Sequence, residues 1–127
     1  MPFEYILANL LAEADEAVGV LFVDDEGETV DVAARPDAEL DLRVTGAYLG
    51  IYMQRVVSLA RERDLGRPRV VYIERPGLTS LGCALAAGYS LGVVQRSPRA
   101  VGRSSWSLER AAADLEREVL SGLDDDD

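Results

Sequence analysis

The sequence predicts an α/β fold, an α+β sandwich with the element order α-β-β-α-β-β-β-α. Three observations predict it: helical apolar periodicity at the start, in the middle and near the end; short β-branched runs between these; and glycine or proline at the joins. A chain of 127 residues fits one domain, and a domain of that size buries roughly two thirds of its unfolded surface. The domain spans 1–121, and residues 122–127, ending in four aspartates, read as a frayed, disordered acidic tail.

Phe3, Ile6, Leu7, Leu10, Leu11 and Ala14 share one helical face and place the first helix over about residues 2–16. Ala17–Val23 is continuously apolar, rich in β-branched residues and stopped by acids, as expected of a strand covered on both faces. Asp24, Asp25, Glu26 and Glu28 crowd together like calcium ligands. They lack the two flanking helices of a calcium loop, and with Gly27 between two strands they make a solvated hairpin turn. Residues 29–33 alternate as a partly exposed strand paired back onto the first, and Pro36 ends it.

Helical period then runs over residues 38–63, with Asp37 as the cap and Gly66 as the closure. A third strand spans 69–74 before Pro76-Gly77, a fourth 78–86 and a fifth 89–95, with Ala87-Gly88 as a tight connection. Ser97-Pro98 carries the N-cap and first-turn signature of the last helix. Its apolar stripe is Val101, Leu108, Ala111, Ala112, Leu115 and Val119.

Composition removes much of enzymology. There is no histidine and no lysine, so Ser-His-Asp and Cys-His nucleophiles, a Schiff-base lysine and a Walker-type phosphate loop are all excluded within this chain. Cys83 is the only cysteine, which argues against a zinc site, and its apolar neighbours make it a packing thiol. The net charge of −10 argues against nucleic-acid binding and against an anionic membrane surface. No apolar run is long enough to span a bilayer and the first residues lack the basic start of a secretion signal, so the expected location is cytoplasmic. No catalytic, cofactor-binding or metal-ligating residue is assigned.

The positive signal is the second helix. Residues 44–53 contain no charge. Leu42, Leu49, Tyr52, Met53, Val56 and Leu59 form one apolar face, and Leu40, Val44, Ala47 and Ile51 form a second stripe opposite it. A helix with two apolar sides either lies in a groove of its own domain or meets another chain, and a small layered domain favours the latter. Gly46 and Gly50 suggest a close backbone approach, toward a partner or toward the sheet. The third strand, between Pro68 and Pro76, is a candidate edge that pairs with its twin. Both features point to a homodimer. The candidate interface comprises Val44, Ala47, Tyr48, Ile51, Gln54 and Arg55 of the helix with Val70, Tyr72 and Glu74 of the strand.

The element order, the opening amphipathic helix, the Val18–Gly27 strand and turn, and the Tyr89-Ser90-Leu91-Gly92-Val93-Val94 strand together resemble the roadblock family of dynein light chains and bacterial relatives, over roughly residues 3–120. The resemblance implies a five-stranded antiparallel sheet with the second helix on one face and the other two helices opposite. It also implies dimers joined through the third strand and second helix, and a role like that of bacterial gliding-motility regulators, whose homodimers bind a small Ras-like GTPase and promote its nucleotide hydrolysis. On that footing Ala47, Ile51, Gln54 and Arg55 mark the GTPase contact. Arg55 is a conceivable arginine finger, against the commoner fate of a helical arginine in a solvated ion pair. The expected function is thus a non-catalytic regulator or adaptor. The alternatives are a scaffold without effect on GTP turnover and, behind it, a small-ligand sensor built around Thr79, Ser80, Ser90 and Tyr72.

Overall fold

The computed structural model describes residues 2–36 and 41–120. The elements are α1 (Pro2–Glu13), β1 (Ala17–Val23), β2 (Thr29–Ala34), α2 (Leu42–Glu62), β3 (Val71–Arg75), β4 (Leu78–Ala84), a short 3₁₀ turn (Ala86–Gly88), β5 (Ser90–Gln95) and α3 (Val101–Leu115), which runs on as a π-helical stretch (Glu116–Leu120). The five strands form one antiparallel sheet in the order β2-β1-β5-β4-β3. The expected acidic tail, the Asp37 cap, Leu40 and the side chain of Val119 lie outside what is described.

β1 shows why its residues are continuously apolar. Val20 and Phe22 enter one core with Leu7, Leu10, Leu108 and Leu115 of α1 and α3, while Leu21 and Val23 enter a second core with Leu49 and Met53 of α2. A strand at the centre of a three-layer sandwich has no solvent face, so the period-two polar alternation disappears. β2, at the sheet margin, is only partly covered.

Several element ends differ from expectation, each for a local reason. α1 stops at Glu13, where Arg35 braces the exit of the chain: Nη2 donates to Leu11 O in the last turn (2.9 Å) and to Ala14 O just after it (3.3 Å), and Nε donates to Ala17 O at the start of β1 (2.6 Å). α2 is capped by Asp41, whose carboxylate accepts from the Arg43 and Val44 amides. Its C-terminus closes at Asp64 and not at Gly66. Asp64 adopts φ 54° while its amide bonds Arg61 O and the Leu65 amide bonds Ala60 O, the paired bonds of a Schellman closure.

β3 begins at Val71 because Arg69 is turned aside onto Glu109. β4 ends at Ala84, before the turn in which Leu85 N donates to Tyr89 O. α3 starts at Val101, and the Ser97-Pro98 cap expectation fails. Ala100 sits in the left-handed region at φ 59°, which the helix cannot run through, and Ser97 Oγ accepts from Arg99 N inside a loop. That loop is held by the wholly buried Gln95, whose amide donates to Ser97 O and Arg99 O and accepts from Ser104 Oγ. The β1–β2 segment is the expected hairpin turn: Asp24 Oδ1 accepts from the Glu26 and Glu28 amides, and Gly27 takes φ 85°.

Candidate protein-interaction face

α2 is seated unusually deep against the sheet. Gly82 and Gly92 stand opposite each other on β4 and β5, and a Cβ at Gly92 would lie 2.2 Å from Leu49 Cδ2, while one at Gly82 would lie 2.6 Å from Met53 Sδ. The helix contributes its own close approach. Gly46 and Gly50 face the sheet and the β1–β2 turn, which decides between the two orientations open from sequence. With Leu42, Leu49, Met53 and Ala60 buried as well, the inner side of α2 is fully used.

The outer side is apolar too. Val44, Tyr48 (58% exposed) and Ile51 (47%) fall at i, i+4 and i+7 on the side away from the sheet, with Ala47 and Arg55 exposed beside them. Tyr52 and Leu59, placed by sequence on the inner stripe, are also about half exposed. Helical projection puts them on the margin of that stripe, and the sheet covers only the arc centred on Leu49 and Met53. Since Gly46 and Gly50 sit toward β1 and β2, the flank carrying Tyr52 and Val56 lies toward β3.

Gln54 is not free for a partner in the same way. Its amide donates to Asp25 O (3.3 Å) and Gly88 O (3.2 Å), tying α2 to two loops. Arg55 is exposed and forms no ion pair with any described residue. On β3, Tyr72 and Glu74 stand opposite Leu81 and Thr79 and are exposed on the α1/α3 side of the sheet, while Val70 packs partly into the α1/α3 core. The β3 residues that share the α2 side are Val71 and Ile73. Strand alternation gives this division only once one residue's face is known.

The two sheet edges are chemically different. The Arg35 amide bonds back to Val18 O, so the alternation of β2 turns the Val32 amide outward, where Asp31 Oδ1 accepts it at 2.8 Å. No described residue hydrogen-bonds the outer edge of β3 in this way. One edge has a donor capped by its own side chain and the other has none.

The remaining candidates do not converge. Thr79 faces the α3 side and leaves its buried hydroxyl without a partner, Ser80 lies against Ile73 and Val94, and Tyr72 is at the margin. Only Ser90 borders the main groove, a cavity of about 520 Å³ between the end of α2 and the β4–β5 connection. Cys83 is buried, and burial together with Glu109 and Glu116 pushes its thiol up to about 11, so it stays protonated and unreactive. Among the described residues no three Cys, Asp or Glu side chains come together to hold a metal, and no helix is long and apolar enough to cross a membrane.

No protein-family model matches the sequence, and no curated protein matches it. Solved structures match over nearly the whole chain. Myxococcus xanthus MglB superposes with a TM-score of 0.81 at 15% identity, covering 95% of this chain and 97% of that one. A structure described as MglB with tetrameric arrangement gives 0.79 at 17% identity, covering 91% and 86%. A roadblock/LC7 domain from Streptomyces avermitilis gives 0.77 at 14% identity, covering 91% and 96%. Likeness at such identities is likeness of fold.

Proposed function

Because the chain has the roadblock/LC7 fold, we propose that it is a non-catalytic, homodimeric regulator or adaptor that docks a small Ras-like GTPase and modulates its nucleotide cycle. The observation that carries this reading is the outer side of α2, where Val44, Tyr48, Ile51 and Tyr52 stand exposed on a helix whose inner side is already fully packed. A contiguous apolar strip of this kind, next to an open sheet edge, is what protein interfaces are built from.

In this reading the two requirements divide the face. Two copies pair through β3 and the adjoining α2 flank of Tyr52, Val56 and Leu59, and the strip of Val44, Tyr48 and Ile51 with Ala47 and Arg55 receives the GTPase. The partner supplies the nucleotide site. Regulation then works by binding one nucleotide state more tightly, which shifts the partner's equilibrium and orders its switch segments. A tenfold preference corresponds to about 1.4 kcal/mol of differential binding.

Light scattering should give twice the 13.8 kDa chain mass at micromolar concentration. Binding of a Ras-like GTPase loaded with GTP and with GDP tests the rest. Equal affinity for the two forms removes regulation and leaves only a scaffold, a reading that the tetrameric arrangement described for one MglB structure keeps in view.

A further inference from the structure

The thirteen arginines fall into distinct populations. Arg67, Arg69, Arg103, Arg110 and Arg117 each pair with a carboxylate, on Glu116, Glu109, Asp15, Glu13 and Asp114 respectively. Arg35 is taken up by backbone carbonyls. Arg43, Arg55, Arg61, Arg63 and Arg75 are exposed, and their side chains make no hydrogen bond or ion pair with any described residue. Those five all belong to α2, its closing turn or the end of β3. Only Arg96 and Arg99, in the loop before α3, share their condition.

This distribution runs against the composition. Residues 42–75 hold seven arginines against Glu62, Asp64 and Glu74, a balance of +4 inside a chain of −10. A protein with 23 carboxylates has ample partners for its own arginines, and those packed near α3 find them. On α2, Arg43 lies beside Val44 and Arg55 one turn beyond Ile51, so two unpaired guanidinium groups stand at the two ends of the exposed strip of Val44, Tyr48 and Ile51. An apolar centre with an unpaired cationic rim is the layout of a docking surface that waits for carboxylates.

We infer that the outer face of α2, with the end of β3, docks an acidic surface of a different protein. Arg43 and Arg55 are its nearest counter-charges, and the planar guanidinium suits bidentate carboxylate contact. A second copy of this chain is the wrong occupant for the centre of the face, because an isologous contact there sets arginine against arginine. An anionic membrane is disfavoured by the repulsion of the acidic remainder of the chain. The inference rests on α2 being the partner face, and it holds whether or not the partner is a GTPase.

The test is a ¹⁵N NMR titration of the full chain with a synthetic peptide rich in Glu, Asp and Leu, beside the same peptide with amides in place of the carboxylates. The expected result is amide shifts confined to the α2 face and the end of β3, seen only with the acidic peptide and weakened several-fold by raising the salt. The double variant R43E/R55E should lose at least about tenfold in affinity with an unchanged melting temperature. Equal binding of the amide peptide, or shifts centred on Arg96 and Arg99, overturns the inference. So does tighter binding after removal of residues 121–127, which would make the chain's own aspartates the occupant, or preferential binding to phosphatidylserine vesicles. Acidic-peptide docking without any GTPase binding sinks the proposed function alone, and salt-insensitive GTPase binding at α2 sinks the acidic-surface inference alone.

Discussion

Gly50 of α2 and Gly27 of the β1–β2 turn approach each other so closely that a Cβ on Gly50 would lie 2.9 Å from the Gly27 Cα. The contact is with backbone, which cannot swing away as a side chain can. Gly50→Ala should therefore destabilise the fold by about 1–3 kcal/mol despite its better helix propensity, because the helix must lift off the turn. Gly102→Ala, with open space around it in α3, should instead stabilise by about 0.5–1 kcal/mol. Urea unfolding of the two variants side by side checks the pair.

Arg35→Ala removes three carbonyl contacts at the joint of α1, β1 and β2. A loss of about 2–3 kcal/mol is expected, since hydrogen bonds from a charged donor are worth more than neutral ones. Hydrogen exchange should rise first at residues 11–17. Uniform loss of protection across the sheet would instead mean that the joint has no local role.

Gln95→Leu is expected to cost about 2–4 kcal/mol, because it leaves the buried Ser104 Oγ and the part-buried bonds of Ser97 O and Arg99 O without their common partner. Here the sequence was least informative. Gln95 looks like the polar end of a strand, and Ser97-Pro98 looks like a helix start; only the three-dimensional closure of the loop onto Gln95 displaces that start to Val101. The element order was legible because alternation, periodicity and turn residues are local properties. The inner stripe of α2 was legible at its centre, Leu49 and Met53, and misleading at its margin, Tyr52 and Leu59, because projection reports angle and not how wide an arc the sheet covers. Which β3 residues share the α2 side was invisible for a related reason: alternation supplies two faces without naming either.

Tyr52→Glu combined with Leu59→Glu should halve the mass seen by light scattering, if two copies pair beside β3, while leaving the core unaffected since both side chains are about half exposed. Circular dichroism at low concentration checks that the fold survives. An unchanged mass would move the pairing surface away from this flank.

Cys83 ties stability to alkaline pH. Its thiol is raised from 9.0 to about 11 by burial and then by Glu109 and Glu116. The folded chain keeps a proton that the unfolded chain releases near pH 9, so this contribution is complete below pH 9 and falls away as pH rises through about 11. The urea midpoint of the wild type should drop more steeply over that window than that of Cys83→Ala. Below pH 9 a thiol reagent should label Cys83 only after denaturant is added.

The capped Val32 amide makes β2 a poorer edge for strand addition than β3. If two copies pair through β3, both ends of the joined sheet are β2, where Asp31 already takes up the outward Val32 amide. Strand addition at that edge would have to displace Asp31 from the Val32 amide, which disfavours recruitment of a third copy by this route and with it the start of a filament.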